Sequence, residues 1–431
     1  MNWHTIGGYE VRADDVWIIA TAVCCSVACG LVGCFLVLRR MSLLGDAISH
    51  AILPGLAVAF LLSGSRAPLP MLAGAMVVGV LTAVLSSSLS RWGRVAADAS
   101  MGVVFTTLFA IGVILITFVA RDVDLDPGCV LYGVIEFSPY DVVRVAGVEL
   151  PRSFVWLGAV LAVNVGLIAV FFKELKIVCF DPYLATTMGI SAAAVHYGLM
   201  TAVAATSVAS FESVGSILVV AMLVTPGATA HLLTDRLSRM LWIAAALGAL
   251  CAVAGYALAV WLNTSVAGMI ATVSMALFML TALAAPRHGI LAKQARRLVL
   301  AARIAREDAL GLLYRWHERQ ETPALSAADV RSLSHSGVLG RLVIAWMGAS
   351  GALTRQADGT LRLTPRGLAQ SRQVVRGHRL WETYLTKRVG ADPGRVHVPA
   401  HEAEHFISDD LRARLDDELR ESTDPHGRAI P

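Results

Sequence analysis

Nine apolar stretches, each about 20 residues long, constrain what this chain can fold into. Lipid offers no hydrogen-bond partners, so only helices and closed barrels satisfy every backbone group inside a membrane, and unbroken apolar runs of this length indicate helices. The sequence therefore predicts an all-α polytopic membrane protein with about nine transmembrane helices. The runs occupy residues 17–38, 41–62, 69–90, 101–120, 154–173, 193–211, 214–233, 240–262 and 265–285.

Charge is distributed unevenly along the 431 residues. Only 16% of the chain is charged, against about 25% in soluble domains. The segment after Arg297 is less than a third of the chain, yet it holds more than half of the acidic and more than half of the basic residues. We therefore expect a membrane domain over 1–286, a basic helical linker over 287–305 and a soluble tail beyond it.

Basic residues between the apolar runs indicate the orientation. Most of those in the membrane part fall in segments on the same side as the tail. Cytoplasmic loops carry the excess of Lys and Arg. We expect the N-terminus outside and the tail in the cytosol.

One apolar run contains two ionisable residues, in the stretch GDAISHAILPG. Asp46 and His50 are four residues apart and share one helix face. A charged residue in a span costs roughly 2.5–3.5 kcal/mol and suggests function, and a carboxylate beside an imidazole can hold a transition-metal ion. The alternative is an internal hydrogen-bonded pair. Two ligands alone hold an ion weakly, so others must come from another helix or a second copy of the chain.

This stretch resembles the signature of the ABC-3 permeases, the membrane subunits of ATP-binding-cassette importers for manganese, zinc and iron. Three further segments are similar in order and spacing: CVLYGVIEFSPYDV (129–142), FDPYLATTMGI (180–190) and the segment 214–241. The resemblance covers about residues 15–285. It implies a bacterial cytoplasmic (inner) membrane protein that works as a homodimer, with Asp46 and His50 on the ion path.

The same resemblance implies two partners, an ABC ATPase and an extracellular or periplasmic metal-binding protein. The segment FDPYLATTMGI would dock on the ATPase. Its Asp181-Pro182 pair suits a helix start, and Gly189 suits a helix stop. No GxxxxGK[ST] phosphate-binding loop occurs in the sequence, so we expect that this chain binds no nucleotide and is not an enzyme.

The tail begins with a helical pattern and continues to GALTRQADGTLRLTPRG. We expect two short strands around an Asp358-Gly359 turn, then a helix after Thr364-Pro365. Helices followed by a small hairpin predict a soluble winged helix-turn-helix over 306–367, with a helical metal-binding and dimerisation domain over 368–431.

Potential metal ligands cluster in this last domain, since His378 and Glu382 are four residues apart and His397, His401, Glu404 and His405 fall within nine residues. The tail resembles the diphtheria-toxin-repressor family of iron- and manganese-dependent regulators through GHRLWETYL (377–385) and VHVPAHEAEHFIS (396–408). The resemblance implies two metal sites. One would consist of His378, Glu382 and His397, and the other of Asp308, His401, Glu404 and His405.

DNA recognition by the tail is disfavoured. The expected recognition helix, 334–353, is apolar where base-reading helices need hydrogen-bonding side chains, and Arg341 is the one candidate DNA contact in its central stretch.

Besides a metal permease with a metal-sensing tail, two alternatives stay open. One is a membrane-anchored metal-dependent transcriptional regulator. The other is a zinc protease, because HEAEH (401–405) matches HExxH with Glu402 as the general base. The transported and tail-bound metal can be Mn, Fe or Zn, and the oxygen and imidazole ligands favour Mn.

Overall fold

The computed structural model describes residues 5–6, 9–10, 12–64, 68–119, 135–145, 147–319, 325–326, 328–330 and 337–431. Residues 129–134 of the second permease-like segment and 334–336 of the expected recognition helix lie outside the described residues. The chain divides into two compact units, Met1–Ala292 and Lys293–Pro431, and each is described by itself.

The first unit is helical, with short two-stranded hairpins. Its helices are α1 (Ala13–Leu38), α2 (Leu44–Ala51), α3 (Leu53–Ser63), α4 (Pro68–Gly93), α5 (Ala97–Val119), α6 (Arg152–Val170), α7 (Phe172–Phe180), α8 (Pro182–Thr187), α9 (Ala192–Val214), α10 (Ser216–Leu233), α11 (Leu237–Leu262) and α12 (Val266–Ala284), with a 3₁₀ turn at Ile135–Tyr140. Its strands are β1 (Thr5–Ile6), β2 (Tyr9–Glu10), β3 (Val142–Val145) and β4 (Val148–Pro151), which pair antiparallel as β1–β2 and β3–β4.

Nine helical segments within the described residues are long and apolar enough to cross a membrane, which confirms the number predicted from the sequence. They are Ala13–Leu38, Leu44–Ser63, Ala73–Gly93, Asp98–Phe118, Arg152–Val170, Ala192–Phe211, Ser216–Leu233, Leu237–Leu262 and Val266–Ala284.

The second of these segments is interrupted. It consists of α2 and α3, with a turn at Ile52 between them. Pro54 lies in the first turn of α3 and has no N–H, so it cannot donate to the carbonyl of His50 four residues earlier. The break therefore falls directly after the residue pair that the sequence singles out.

Close backbone approach holds the centre of this unit together. Helix α1 packs against α6, α10 and α11. A Cβ placed on Gly33 would lie 1.7 Å from the carbonyl oxygen of Leu223. Inside lipid there is no hydrophobic driving force between helices, so they associate through van der Waals contact. Small residues at the crossing points allow the backbones to come close enough for it.

The second unit combines helices with one hairpin. Its elements are α13 (Ile290–Glu318, which begins in the first unit), α14 (Gly337–Ala349), β5 (Leu353–Arg355), β6 (Leu361–Leu363), α15 (Pro365–Lys387), a 3₁₀ turn at Pro393–Arg395, α16 (His397–Glu404) and α17 (Asp409–Leu419). Strands β5 and β6 pair antiparallel. Gly359 has φ +84° at the turn, and Thr364 accepts a hydrogen bond from the backbone N–H of Gly367 at the start of α15. These are the turn and the helix start that the sequence predicts.

We predict that Gly33→Ala destabilises the membrane unit, because the new methyl group would overlap the backbone of α10. Overpacking typically costs about 1–3 kcal/mol, so the thermal midpoint measured by fluorescence-detected size exclusion should fall. The control is Gly158→Ala in α6, where a Cβ meets no atom within 4 Å. Equal midpoints for the two variants would contradict the close approach.

Candidate metal sites

The membrane unit presents Asp46 and His50 side by side on α2. Leu44, Ala47, Ile48 and Ala51 form the buried face of this helix, which leaves the carboxylate and the imidazole on its flank. His50 Nε2 lies 3.5 Å from Asp46 Oδ1, and the two side chains are 37% and 44% exposed. The rest of the membrane unit therefore covers neither side chain completely.

Two aromatic rings from α5 support the imidazole of His50. The ring centroids of Phe105 and Phe109 lie 6.1 and 6.0 Å from that of His50, and Phe109 meets it edge to face. These contacts orient the ring while one side of it stays open. Among the described residues, no third His, Cys, Asp or Glu joins this pair in a three-ligand group.

The predicted ATPase-docking segment forms a short capped helix, α8. The Asp181 carboxylate accepts hydrogen bonds of 3.0 Å from the backbone N–H groups of Tyr183 and Leu184. Pro182 occupies the first turn, and Gly189 ends the segment with φ +82°. Tyr183 and Leu184 are exposed, so helix α8 presents two large, mainly apolar side chains on its surface.

In the tail, the side chains of the first predicted metal site converge. His378 and Glu382 lie on α15, and His397 begins α16. His378 Nε2 is 3.0 Å from Glu382 Oε1 and 3.1 Å from His397 Nδ1, and His397 Nδ1 is 2.9 Å from the same Glu382 oxygen. Adjacent ligands of an octahedral ion with bonds of about 2.1 Å are separated by about 3.0 Å.

The chemistry of these three atoms also fits a metal ion. Two imidazole nitrogens that both donate to Glu382 would bring two N–H groups against each other at 3.1 Å. A cation that accepts all three lone pairs removes this conflict. The three residues therefore fit a divalent ion better than they fit one another.

The second predicted site also converges. His401 Nδ1 lies 2.8 Å from Glu404 Oε1, and His405 Nε2 lies 3.2 Å from Asp308 Oδ1. Asp308 Oδ1 is buried without a hydrogen-bond partner among the described residues. Asp308 comes from α13, so this site joins the first helix of the tail to α16.

Glu404 connects the two groups, because its Oε1 belongs to the second site and its Oε2 lies 2.8 Å from His378 Nδ1 of the first.

The sequence interpretation missed a further residue, Glu307. Its Oε2 lies 2.8 Å from His405 Nδ1, which leaves Nε2 of that histidine directed at Asp308. A carboxylate behind a ligating histidine fixes its tautomer. The signal in the sequence was its position next to Asp308.

The ionisable groups of the tail shift each other's pKa strongly. Burial alone would raise the pKa of Glu382, but hydrogen bonds from His378 and His397 lower it to about 2. Glu404 behaves alike: burial opposes the shift, and hydrogen bonds from His378 and His401 lower its pKa to about 2. Burial opposes charge on His405, yet Asp308 and Glu307 raise its pKa to about 9. At neutral pH these shifts keep Glu382, Glu404 and His405 in their charged forms.

Arg341, the candidate DNA contact, and Glu402, the base of the protease hypothesis, lie outside the two ligand groups. Arg341 is exposed on α14, beside Leu342 and Trp346, which are 67% and 53% exposed. Glu402, the base of the protease hypothesis, is exposed and is not a member of either ligand group. The described part of α14 therefore presents mainly apolar atoms outward.

Comparisons with known proteins agree with the two units. Residues 15–285 match the profile of the ABC 3 transport family, and residues 364–431 match the iron dependent repressor, metal binding and dimerisation domain.

Similar proteins include the manganese transport system membrane protein MntD of Bacillus subtilis, 48% identical over 66% of this chain and 96% of the relative. The zinc transport system membrane protein TroD of Treponema pallidum is 44% identical over 63% of this chain and 74% of the relative. Among solved structures, PsaBC from Streptococcus pneumoniae in complex with Fab has a TM-score of 0.54 and 32% identity, and it covers 64% of this chain and 94% of that chain.

The pKa shifts predict a stability window for the metal-free tail. The raised pKa of His405 stabilises the fold below about pH 6.5, and this contribution is lost as pH rises through about 9. The lowered pKa values of Glu382 and Glu404 stabilise it above about pH 4.5, and that contribution is lost as pH falls through about 2.

The measurement is the hydrogen-exchange protection factor of residues 397–405 in the full chain with EDTA, corrected for intrinsic rates at each pH. His405→Gln should remove the loss between pH 6.5 and 9 and keep the acidic loss. His317→Gln, at an exposed histidine of α13, is the matched control. An unchanged alkaline loss in His405→Gln would show that other groups cause it.

Proposed function

The chain belongs to the ABC 3 transport family, and we propose that it is the permease subunit of a manganese importer whose cytosolic tail senses the imported metal. As a family member it is a multi-pass, non-catalytic membrane component of a metal-ion transporter. A separate ATPase chain supplies the energy, and an external binding protein delivers the ion. The observation that carries the proposal is the accessible Asp46–His50 pair at the break between α2 and α3.

The break suits a transport site. Interrupted membrane helices recur where transporters bind ions, because freed backbone groups and side chains act together there. Here Pro54 has no N–H to donate to the carbonyl of His50. This carbonyl lies within two helical turns of both proposed side-chain ligands. Weak coordination by few protein ligands lets an ion leave as well as enter. A homodimer can supply the remaining ligands.

Two features support the choice of manganese. A carboxylate in the path and a tail rich in carboxylate and imidazole suit Mn²⁺ better than the thiolate sites that select softer ions. The relatives MntD and TroD are a manganese and a zinc transport protein, so zinc is the second candidate cargo.

Docking of the ATPase on α8 is supported by its local build. Asp181 and Pro182 fix the start of a helix too short to persist without its cap, and the exposed Tyr183 and Leu184 offer contact area. In the proposed orientation, N-terminus outside, this segment faces the cytosol.

The tail fits a regulator of transport. Its two ligand groups draw on α13, α15 and α16, so bound metal would clamp three helices together. Helix α13, which carries Asp308, runs without interruption from Ile290, shortly after the last span ends at Ala284. A clamp on α13 therefore acts on the segment that leads out of the membrane domain.

Transcriptional control is the weaker role. Base recognition in the major groove needs donors and acceptors on the exposed helix face, and the described part of α14 offers Arg341 among apolar residues. The protease hypothesis is weaker still, because Glu402, its general base, is exposed, whereas Glu404 is buried with Oε1 2.8 Å from His401 Nδ1.

We predict that Asp46→Asn and His50→Ala each lower ⁵⁴Mn uptake by roughly tenfold or more, since each removes one of two ligands on the path. Uptake is measured in cells that co-express the ATPase and the binding protein. The control is Asp14→Asn, at an exposed acidic residue in the first turn of α1. Full uptake by either path variant would reject the transit site.

We also predict that wild-type uptake falls when cells are preloaded with Mn²⁺, and that Asp308→Asn or Glu382→Gln removes this inhibition. Initial rates over the first minute exclude effects of new gene expression. His426→Gln, at an exposed tail histidine outside both groups, should stay inhibited. If inhibition persists in the ligand variants, the tail does not gate transport.

A further inference from the structure

The tail unit contains a polar cavity that the metal sites do not use. Its volume is about 460 Å³, and helices α13, α15 and α17 line it. Three arginines face it: Arg303 and Arg306 from α13, and Arg412 from α17.

Two of these arginines have buried N–H groups without an acceptor. Arg306 donates from Nη2 to Gln370 Oε1 at 2.6 Å, and its guanidinium lies 5.0 Å from the ring centre of Trp346. Arg412 donates from Nη1 to Asp409 Oδ1 at 2.6 Å. The Nε atoms of both are buried and have no hydrogen-bond partner among the described residues. A buried guanidinium N–H without an acceptor is costly, so both positions call for one.

The charge of the lining favours an anion. Three guanidiniums face two carboxylates, Glu307 and Asp409. Glu307 already holds Arg303 through Oε1 at 3.0 Å and His405 through Oε2 at 2.8 Å. Asp409 is 89% exposed and directed at Arg412. Neither acidic group is left over to attract a cation.

We propose that this cavity binds a small phosphorylated metabolite. Planar guanidinium groups match the oxygens of a phosphate and bind it in pairs. The volume is several times that of inorganic phosphate, and Leu310, Val374 and Ile407 provide an apolar wall for an organic portion. Ligand pockets of this kind combine apolar walls with a few converging polar groups.

The cavity is also connected to a candidate metal site. Glu307 contacts Arg303 in the cavity and His405 in the second ligand group. An anion that engages Arg303 leaves Glu307 a stronger acceptor for His405 Nδ1–H, which makes Nε2 a better metal ligand. This coupling rests on the proposed metal sensing, whereas the binding site itself does not. By linkage, metal strengthens anion binding by the same factor.

The test of binding uses the full chain in phosphatidylcholine nanodiscs, freed of metal by EDTA and dialysed. Equilibrium dialysis with ¹⁴C-labelled glucose 6-phosphate should show saturable binding of about one molecule per chain. Arg412→Gln and Arg306→Gln should each weaken it at least tenfold. Arg414→Gln, an exposed arginine on the same helix outside the cavity, should bind as wild type does. Absence of saturable binding, or equal loss in Arg414→Gln, would overturn the proposal.

Two further arms distinguish the proposed site from a folding defect and from a lipid site. Retained Mn²⁺ binding by Arg412→Gln shows that the tail is still folded, so that its loss of glucose 6-phosphate binding supports the site. Phosphatidylglycerol carries the same phosphate chemistry. If nanodiscs with this lipid abolish binding of the soluble probe, the ligand is a lipid headgroup and the metabolite proposal is wrong.

The coupling is tested by titrating Mn²⁺ with and without glucose 6-phosphate. We expect a several-fold gain in Mn²⁺ affinity in wild type and none in Glu307→Gln, each measured at a glucose 6-phosphate concentration that equilibrium dialysis shows to saturate that variant. An equal gain in both would overturn the route through Glu307. Failure of wild type to bind Mn²⁺ in the tail would instead reject the metal-sensing function and leave the anion site standing.

Discussion

The membrane unit depends on one constraint, that its backbone must find its hydrogen-bond partners inside the protein. Helical hydrogen bonding meets this requirement along most of the nine apolar segments within the described residues. Helix α1 lies close enough to α10 that Gly33 has no room for a Cβ. The interruption at Ile52 is therefore informative. Here the apolar segment breaks into two helices, and the break follows directly after the helix that carries Asp46 and His50.

The tail meets a different constraint, because some of its ionisable groups, among them His378, Glu382 and Glu404, are buried. Charge can be buried only when it is paired or bound to metal. Glu404 and His378 lie 2.8 Å apart, and each takes part in a different ligand group, so the two groups form one connected network. Glu307 extends this network to the arginine-lined cavity. The contact between Glu307 and His405 joins helices that are distant in sequence.

Much of this arrangement was predictable from the sequence. Apolar length predicted the spans, and Asp358-Gly359 with Thr364-Pro365 predicted the hairpin and the helix after it. The spacing of four between His378 and Glu382 predicted that they share a helix face. What local pattern could not give is long-range convergence. Glu307 and Arg412 have no unusual spacing, and only the packing of α13, α15 and α17 shows which side chains face one another. The break after Ala51 needed the structure as well, because Pro54 alone also suits a helix start.

Helix α13 joins the membrane unit to the tail within one chain. Under the proposed function, this covalent link has a consequence for the control of metal concentration in the cell. A permease and its sensor on one chain are made in a ratio fixed at synthesis, so no variation in expression can separate them. The number of ions required to saturate the sensors then scales with the number of transporters. A cell that makes more permease therefore makes proportionally more sensor, and the fraction of permeases inhibited at a given metal concentration stays the same.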